Sequence, residues 1–291
     1  MPSEAEAQDF PERPTTWATV PNSHITVAGD RLLYRDLGPL TDTPVVLLTH
    51  LGATLDEWDP AIVDALARRH RVVALELAGV GGSGGVVPGS IREMADTARA
   101  MIAALGFEHV DLVGFSLGGF VAQQVALDDP DLVRRLVLTG TGPAGGHGID
   151  RKTGGAYIYW DMLRGLAHRT DAKEFLFFPR TPAGKAAARV YLGRLRERVL
   201  DRDQPMAVSG FNRQISAVRR WGRQQPQDLS RITAPTLIAN GDHDRMVPTE
   251  LSEDMHRRIP NSTLVIYPEA GHGGVFQYHE AFTEALLAHL D

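Results

Sequence analysis

Apolar residues in this chain fall into short unbroken runs, separated by stretches with helical spacing. Val45–Leu48, Val72–Leu75, Val110–Val113 and Leu136–Thr139 are such runs. Their length and apolarity predict strands buried on both faces. Between and after them, Pro60–Arg69, Ile91–Leu105 and Phe120–Leu127 carry helical patterns. Pro60 suits a first helical turn, and Ser90 with Glu93 predicts a capping box. Upstream, His24–Val27 and Leu32–Tyr34 flank the turn signal Ala28-Gly29-Asp30 and predict a hairpin. From Pro143 to about Arg231 strand signals nearly vanish, helical patterns dominate and aromatics accumulate. Alternation then resumes, with strands at Thr236–Ala239 and Thr263–Ile266 and helices at Thr249–Arg258 and Phe276–Leu290. The predicted class is α/β, a mostly parallel doubly wound sheet with helices on both faces. Residues 21–142 and 232–291 form its core. Residues 143–231 read as a helical cap, or lid, inserted between two strands.

Composition narrows the chemistry. The chain has 291 residues and no cysteine. That leaves no thiolate nucleophile, disulfide framework or Cys-ligated metal. No run approaches the roughly 20 apolar residues needed to span a bilayer. Residues 1–20 lack the basic start and apolar centre of a secretory signal, and read as a flexible arm. The expectation is a cytoplasmic protein with no membrane partner. The net charge of −6 hides an asymmetry: residues 143–230 hold 16 Lys+Arg against 8 Asp+Glu, or +8, which leaves −14 for the rest. Three readings arise: a basic lid attracted to an acidic body, a preference for anionic substrates, and, for most of these charges, simply solvated helix faces. A nucleic-acid partner is not expected, because the overall balance is acidic and no nucleic-acid motif appears.

The reactive chemistry centres on Gly114-Phe115-Ser116-Leu117-Gly118, where a predicted strand turns directly into a predicted helix. Glycines permit that close turn, which lifts the Ser116 hydroxyl to the positive end of the helix. A serine needs a base, and the base needs an orienting acid. Gly241-Asp242-His243-Asp244 follows one later strand, and Ala270-Gly271-His272-Gly273 follows the next. Loops at the carboxyl ends of parallel strands converge on one crevice. Ser116, an aspartate and His272 can therefore meet there. Asp242-His243-Asp244 is weak metal geometry, with one histidine between two acids on one turn, so no metal is expected. Gly79–Gly85 lacks the Lys-Ser/Thr of a phosphate loop and reads as a flexible active-site loop.

Four blocks taken together, LLTHLGATLDEW (47–58), LELAGVGGSG (75–84), VGFSLGGFVA (113–122), and GDHDRMVP (241–248) with AGHG (270–273), resemble the capped serine hydrolases of the α/β-hydrolase fold over residues 22–291. The resemblance implies Ser116 as nucleophile, His272 as general base and Asp244 as orienting acid. Asp244 is preferred to Asp242 because the family loop usually reads Gly-x-x-Asp before Val-Pro. It implies an oxyanion hole from the backbone N–H groups of Leu51 and Leu117. His50, Gly52, Phe115, Trp160 and Val247 are the expected substrate-pocket residues. Two departures stand out. Thr49-His50 replaces the usual His-Gly, and Ala78 stands where many relatives have Arg.

The implied function is a cofactor-free hydrolase, acting on a carboxylic ester or lactone of mainly apolar character. The same residues fit C–C bond hydrolysis, perhydrolysis of the haloperoxidase type, or amide cleavage. A ligand-binding receptor on the same scaffold is a further alternative. A homodimer is left open.

Overall fold

Among the described residues, eight strands form a single sheet in the order β1-β2-β4-β3-β5-β6-β7-β8. The strands are β1 (Ser23–Val27), β2 (Asp30–Leu37), β3 (Val45–Leu48), β4 (Val72–Leu75), β5 (Val110–Phe115), β6 (Val133–Thr139), β7 (Thr236–Gly241) and β8 (Ser262–Tyr267). This computed structural model describes residues 16–153 and 155–291. The β1–β2 and β2–β4 pairs are antiparallel and every later pair is parallel. The chain has the α/β-hydrolase fold. All residues of β3, β4, β5 and β7 are buried, which is why their sequences are nearly continuous apolar runs rather than alternating ones.

Helices cover both faces. Before β6 come α1 (Pro60–Ala67), α2 (Ile91–Ala104) and α3 (Leu117–Asp128). Asp59 caps α1 and Ser90 caps α2 through side-chain hydrogen bonds. Between β6 and β7 lie α4 (Ala156–His168), α5 (Lys173–Phe177), α6 (Pro182–Arg194) and α7 (Val208–Arg223), with no strand among the described residues. The chain ends with α8 (Thr249–Arg258), α9 (Gly274–Gln277) and α10 (His279–Leu290). The single helix expected over 276–290 is thus broken, because Tyr278 leaves helical geometry at φ −108°, ψ 39°.

The expected arm ends earlier than residue 20. Its residues 1–15 lie outside the described residues, whereas Trp17 and Val20 are buried. The Arg35 guanidinium stacks 4.9 Å from the Trp17 ring. Arg198 donates to the carbonyls of Trp17 and Val20. Residues 16–20 therefore pack on the body.

The glycine cluster is pinned. Gly82 and Ser83 N–H groups donate to Glu76 Oε2 at 2.8 and 3.1 Å, and Ser83 Oγ bridges Glu76 O and Leu33 N. None of residues 79–85 lines the large cavity described below. The expectation of a flexible active-site loop is corrected: the Glu76 carboxylate fastens the loop to the sheet. Burial, then the nearby Asp203 carboxylate, pushes the Glu76 carboxyl up to about 8, against the pull of its N–H donors. A raised carboxyl favours the folded state when protonated. That contribution is complete below the ordinary carboxylate range and is lost as pH rises toward about 8. Thermal unfolding of the wild type is therefore expected to move to lower temperature as pH is raised through this window, and more steeply than that of Glu76→Gln. Parallel pH profiles for the two proteins would disprove the assignment.

Candidate active site

Sheet order builds the site. β3, β5, β7 and β8 run parallel, so the loops that follow them emerge at one edge. Ser116 lies between β5 and α3 at φ 56°, ψ −115°, in the left-handed half of backbone space where a side chain is strained. Two glycines make the turn feasible. A Cβ on Gly114 would sit 2.3 Å from the Gly118 carbonyl oxygen, and one on Gly118 would sit 2.1 Å from that of Leu48. Only hydrogen atoms fit at these two contacts. The Ser116 N–H donates to Thr139 O, and Thr141 Oγ1 donates to Ser116 O, both at 2.9 Å.

His272 Nε2 stands 3.0 Å from Ser116 Oγ, and His272 Nδ1 stands 2.8 Å from Asp244 Oδ2. All three residues are buried. The carboxylate fixes the proton on Nδ1, which leaves Nε2 to accept the serine hydroxyl. Asp244 Oδ1 in turn accepts the N–H groups of Met246 and Val247 at 2.8 and 2.9 Å. Asp242 makes no hydrogen bond to Ser116 or His272. It is exposed, meets His243 and accepts the Ala270 N–H, holding the loop that carries His272. Asp244 is thus the carboxylate brought to the histidine. Phe115 and Phe177 pack on the His272 ring with centroids 5.0 and 5.4 Å away.

Leu51 follows β3 and Leu117 opens α3. Among the described residues neither backbone N–H has a hydrogen-bond partner. The Gly52 N–H is occupied by Gln214 Oε1 of α7 at 2.8 Å, which braces this loop from the helical segment. Ser116, His272, His50, Leu51 and Gly52 line one cavity of about 690 Å³. Its other walls are largely apolar and include Ile158, Leu176, Phe177 and Met206.

Three expected pocket residues stand elsewhere. Trp160 is 68% exposed and does not line the cavity. The cavity side of α4 belongs to Ile158, Tyr159 and Met162, and at 100° per residue Trp160 lies 100° from Tyr159 and 200° from the other two. Val247 contributes its N–H to Asp244 while its side chain is buried in the core. Phe115 supports His272 from within the core and does not reach the cavity.

His50 stands where it was expected. It lines the cavity, and its Nδ1 lies 3.0 Å from Leu51 O. Its Nε2 lies 3.1 Å from Glu57 Oε2. Glu57 also meets Lys173 of α5 at 3.3 Å, and Lys173 meets Asp171 at 2.9 Å. Burial alone would raise the Glu57 carboxyl, but Lys173 and His50 outweigh it and hold it down at about 2. Sequence reasoning missed Glu57, Lys173 and Gln214, because their partners lie far away in the chain and no local motif marks them. Among the described residues no group of three or more His, Cys, Asp or Glu side chains is arranged to hold a metal ion.

A sequence model of the alpha/beta hydrolase fold family matches residues 43–277. The chain belongs to that family. It is 29% identical over 252 residues to the pimeloyl-(acyl-carrier protein) methyl ester esterase of Pectobacterium carotovorum, covering 85% of this chain and 94% of that one. An uncharacterized protein of Mycobacterium tuberculosis is 31% identical over 274 residues, covering 88% of this chain and 76% of the relative. Among solved structures, an alpha/beta hydrolase fold protein from Chitinophaga pinensis superposes with a TM-score of 0.87 at 32% identity, covering 94% of this chain and 98% of that one.

Lys173 and Glu57 are largely buried, with side chains 12% and 25% exposed. Removing one partner strands the other charge. Lys173→Met is expected to lose about 1–3 kcal/mol in urea denaturation, and Glu57→Gln in the same protein to restore part of it. Strict additivity of the two substitutions would show that the pair is not coupled.

Proposed function

We propose that this protein hydrolyses carboxylic esters or lactones through an acyl-enzyme on Ser116. The observation that carries the reading is the Ser116–His272–Asp244 relay, with contacts of 3.0 and 2.8 Å, opening into a mostly apolar cavity. His272 Nε2 takes the hydroxyl proton as Ser116 Oγ bonds to the carbonyl carbon. The carbonyl oxygen becomes an oxyanion, met by the Leu51 and Leu117 N–H groups. Asp244 stabilises the imidazolium. Collapse breaks the carbon–oxygen bond, and His272 returns the proton to the leaving alkoxide. Water, deprotonated by His272, then attacks the acyl carbon, and Ser116 recovers its proton as the acid departs. A lactone follows the same course and yields a hydroxy acid.

Residues 143–231 act in this reading as the cap that closes the cavity over Ser116. The apolar walls favour an apolar substrate. The name of the Pectobacterium relative, a methyl ester esterase, supports the ester class.

Intact-mass spectrometry after exposure to a fluorophosphonate tests the assignment. One adduct is expected on the wild type, none on Ser116→Ala, and strongly slowed labelling of His272→Ala. Ester turnover is expected to fall on the order of 10⁴-fold or more in Ser116→Ala, and about 10⁴-fold in Asp244→Asn, where the histidine tautomer is lost. An adduct that survives Ser116→Ala would overturn the reading.

A further inference from the structure

Exposed apolar surface is not spread evenly over this molecule. Eleven large apolar side chains are exposed among the described residues, and nine of them lie between residues 143 and 231. On α4, Trp160, Leu163 and Leu166 are 68%, 57% and 79% exposed. At 100° per residue these three span about 120° of the helix, so they form one stripe. The stripe continues into the cavity. Tyr159, Met162 and Val208 of α7 belong both to the exposed apolar surface and to the cavity lining. Tyr159 Oη joins the two helices by donating to Asn212 Oδ1 at 2.9 Å.

Cations flank the stripe. Arg164, His168, Arg180 and Lys185 line a groove beside α4. Its one carboxylate, Glu174, accepts from Thr170. Arg164 and Arg180 share a single buried partner, Asp161, at 3.4 and 3.8 Å, and Arg245 reaches the same carboxylate at 2.9 Å. Positive charge therefore exceeds negative charge here, in keeping with the +8 of residues 143–230.

We propose that this face docks on an anionic phospholipid surface, with α4 lying in the interface and the cavity mouth against the lipid. An apolar stripe bordered by Arg and Lys is the pattern that partitions a helix into the headgroup region. Anionic headgroups complement the flanking cations. A second copy would oppose two positively charged segments and complements nothing. Peripheral docking requires no spanning segment, and no described helix is long and apolar enough to cross a membrane. The sequence-based expectation of no membrane partner considered spanning length alone. Docking would let an apolar substrate pass from the lipid into the cavity along Tyr159, Met162 and Val208.

The molecule carries its own reporter. Of its four tryptophans, Trp17, Trp58 and Trp221 are buried and Trp160 is exposed. Full-length protein is mixed with vesicles of phosphatidylglycerol and phosphatidylcholine, or of phosphatidylcholine alone. Binding is read by co-sedimentation and by Trp160 emission. Expected are co-sedimentation and a blue shift with the anionic vesicles, both weakened by salt. The double variant Leu163→Asp/Leu166→Asp should bind at least about tenfold more weakly. These side chains are exposed and outside the cavity lining, so its turnover of a soluble short-chain ester should match the wild type. No binding, or equal binding by the variant, would overturn the proposal. So would a dimer in sedimentation velocity that the double variant disperses, since a second copy would then cover the face. Binding is read without turnover, so a wild type inert toward the soluble ester would sink the esterase reading and leave this one standing.

Discussion

The strained backbone of Ser116 is the constraint on which the rest of the site depends. A side-chain-bearing residue at φ 56°, ψ −115° costs on the order of 1–3 kcal/mol and persists only when its surroundings over-determine it. Here they do. β5 is flanked by β3 and β6, and both neighbours enforce the turn. On one side Gly118 rests on the Leu48 carbonyl, at a distance no Cβ tolerates. On the other, Thr139 and Thr141 hold the Ser116 backbone by its N–H and its carbonyl. The same pairing sets the two free donors. Leu48 is in register with Gly114, so Leu51 and Leu117 each lie three residues beyond a paired position. Strain, free N–H groups and hydroxyl position all follow from seating α3 against β3.

The second organising force is charge, and it explains much of the asymmetry along the chain. Cations of the helical segment pair with acids of the body: Lys173 with Glu57, Arg194 with Asp59, and Arg198 and Arg202 with Asp56. Arg35, fully buried, meets Asp56 at 2.6 Å and Asp203 at 3.0 Å. Arg198 adds the carbonyls of residues 17 and 20 to this cluster. Buried pairs of this kind gain little net stability, because desolvation offsets their attraction. Their geometry, however, fits one placement of the segment only. Apolar contacts alone would allow sliding, whereas a charge displaced from its partner stands unpaired in a poorly solvated place.

Much of this is readable along the chain, and the limits have physical causes. The strands are legible because burial on both faces demands unbroken apolar runs, as in Val45–Leu48. Ser116 and its flanking glycines are legible because strain and close approach restrict which residues can stand there. Trp160 is misplaced by sequence reasoning because composition says that a residue is aromatic but not which way its helix is turned. Phe115 and Val247 are misplaced for a related reason: they serve the site from the core, one by ring packing and one by its backbone. Glu57, Lys173 and Gln214 leave no local trace, since each acquires its meaning from a partner on another element. The glycine cluster reads as a flexible loop, yet one carboxylate, Glu76, holds it. Composition marks where a chain can bend, and hydrogen bonds decide whether it does.

The charges that line the cavity bear on which substrates it can prefer. The sequence left open a preference for anions, given the cations of residues 143–230. In the folded chain, Lys173 already faces Glu57 and Asp171, and Arg202 faces Asp56. At Lys173 an incoming carboxylate would have to displace Glu57 or Asp171 from its cation in a partly buried wall, which costs more than the new contact returns, whereas Asp56 keeps Arg35 and Arg198 whatever Arg202 meets. Arg196, exposed at the cavity rim, has no partner among the described residues, but a solvated rim charge alters approach more than affinity. In the proposed reading, discrimination inside the cavity falls mainly to its apolar walls. Ile158, Leu176, Phe177 and Met206 reward shape and apolar area, and the paired charges penalise any group that cannot leave them paired.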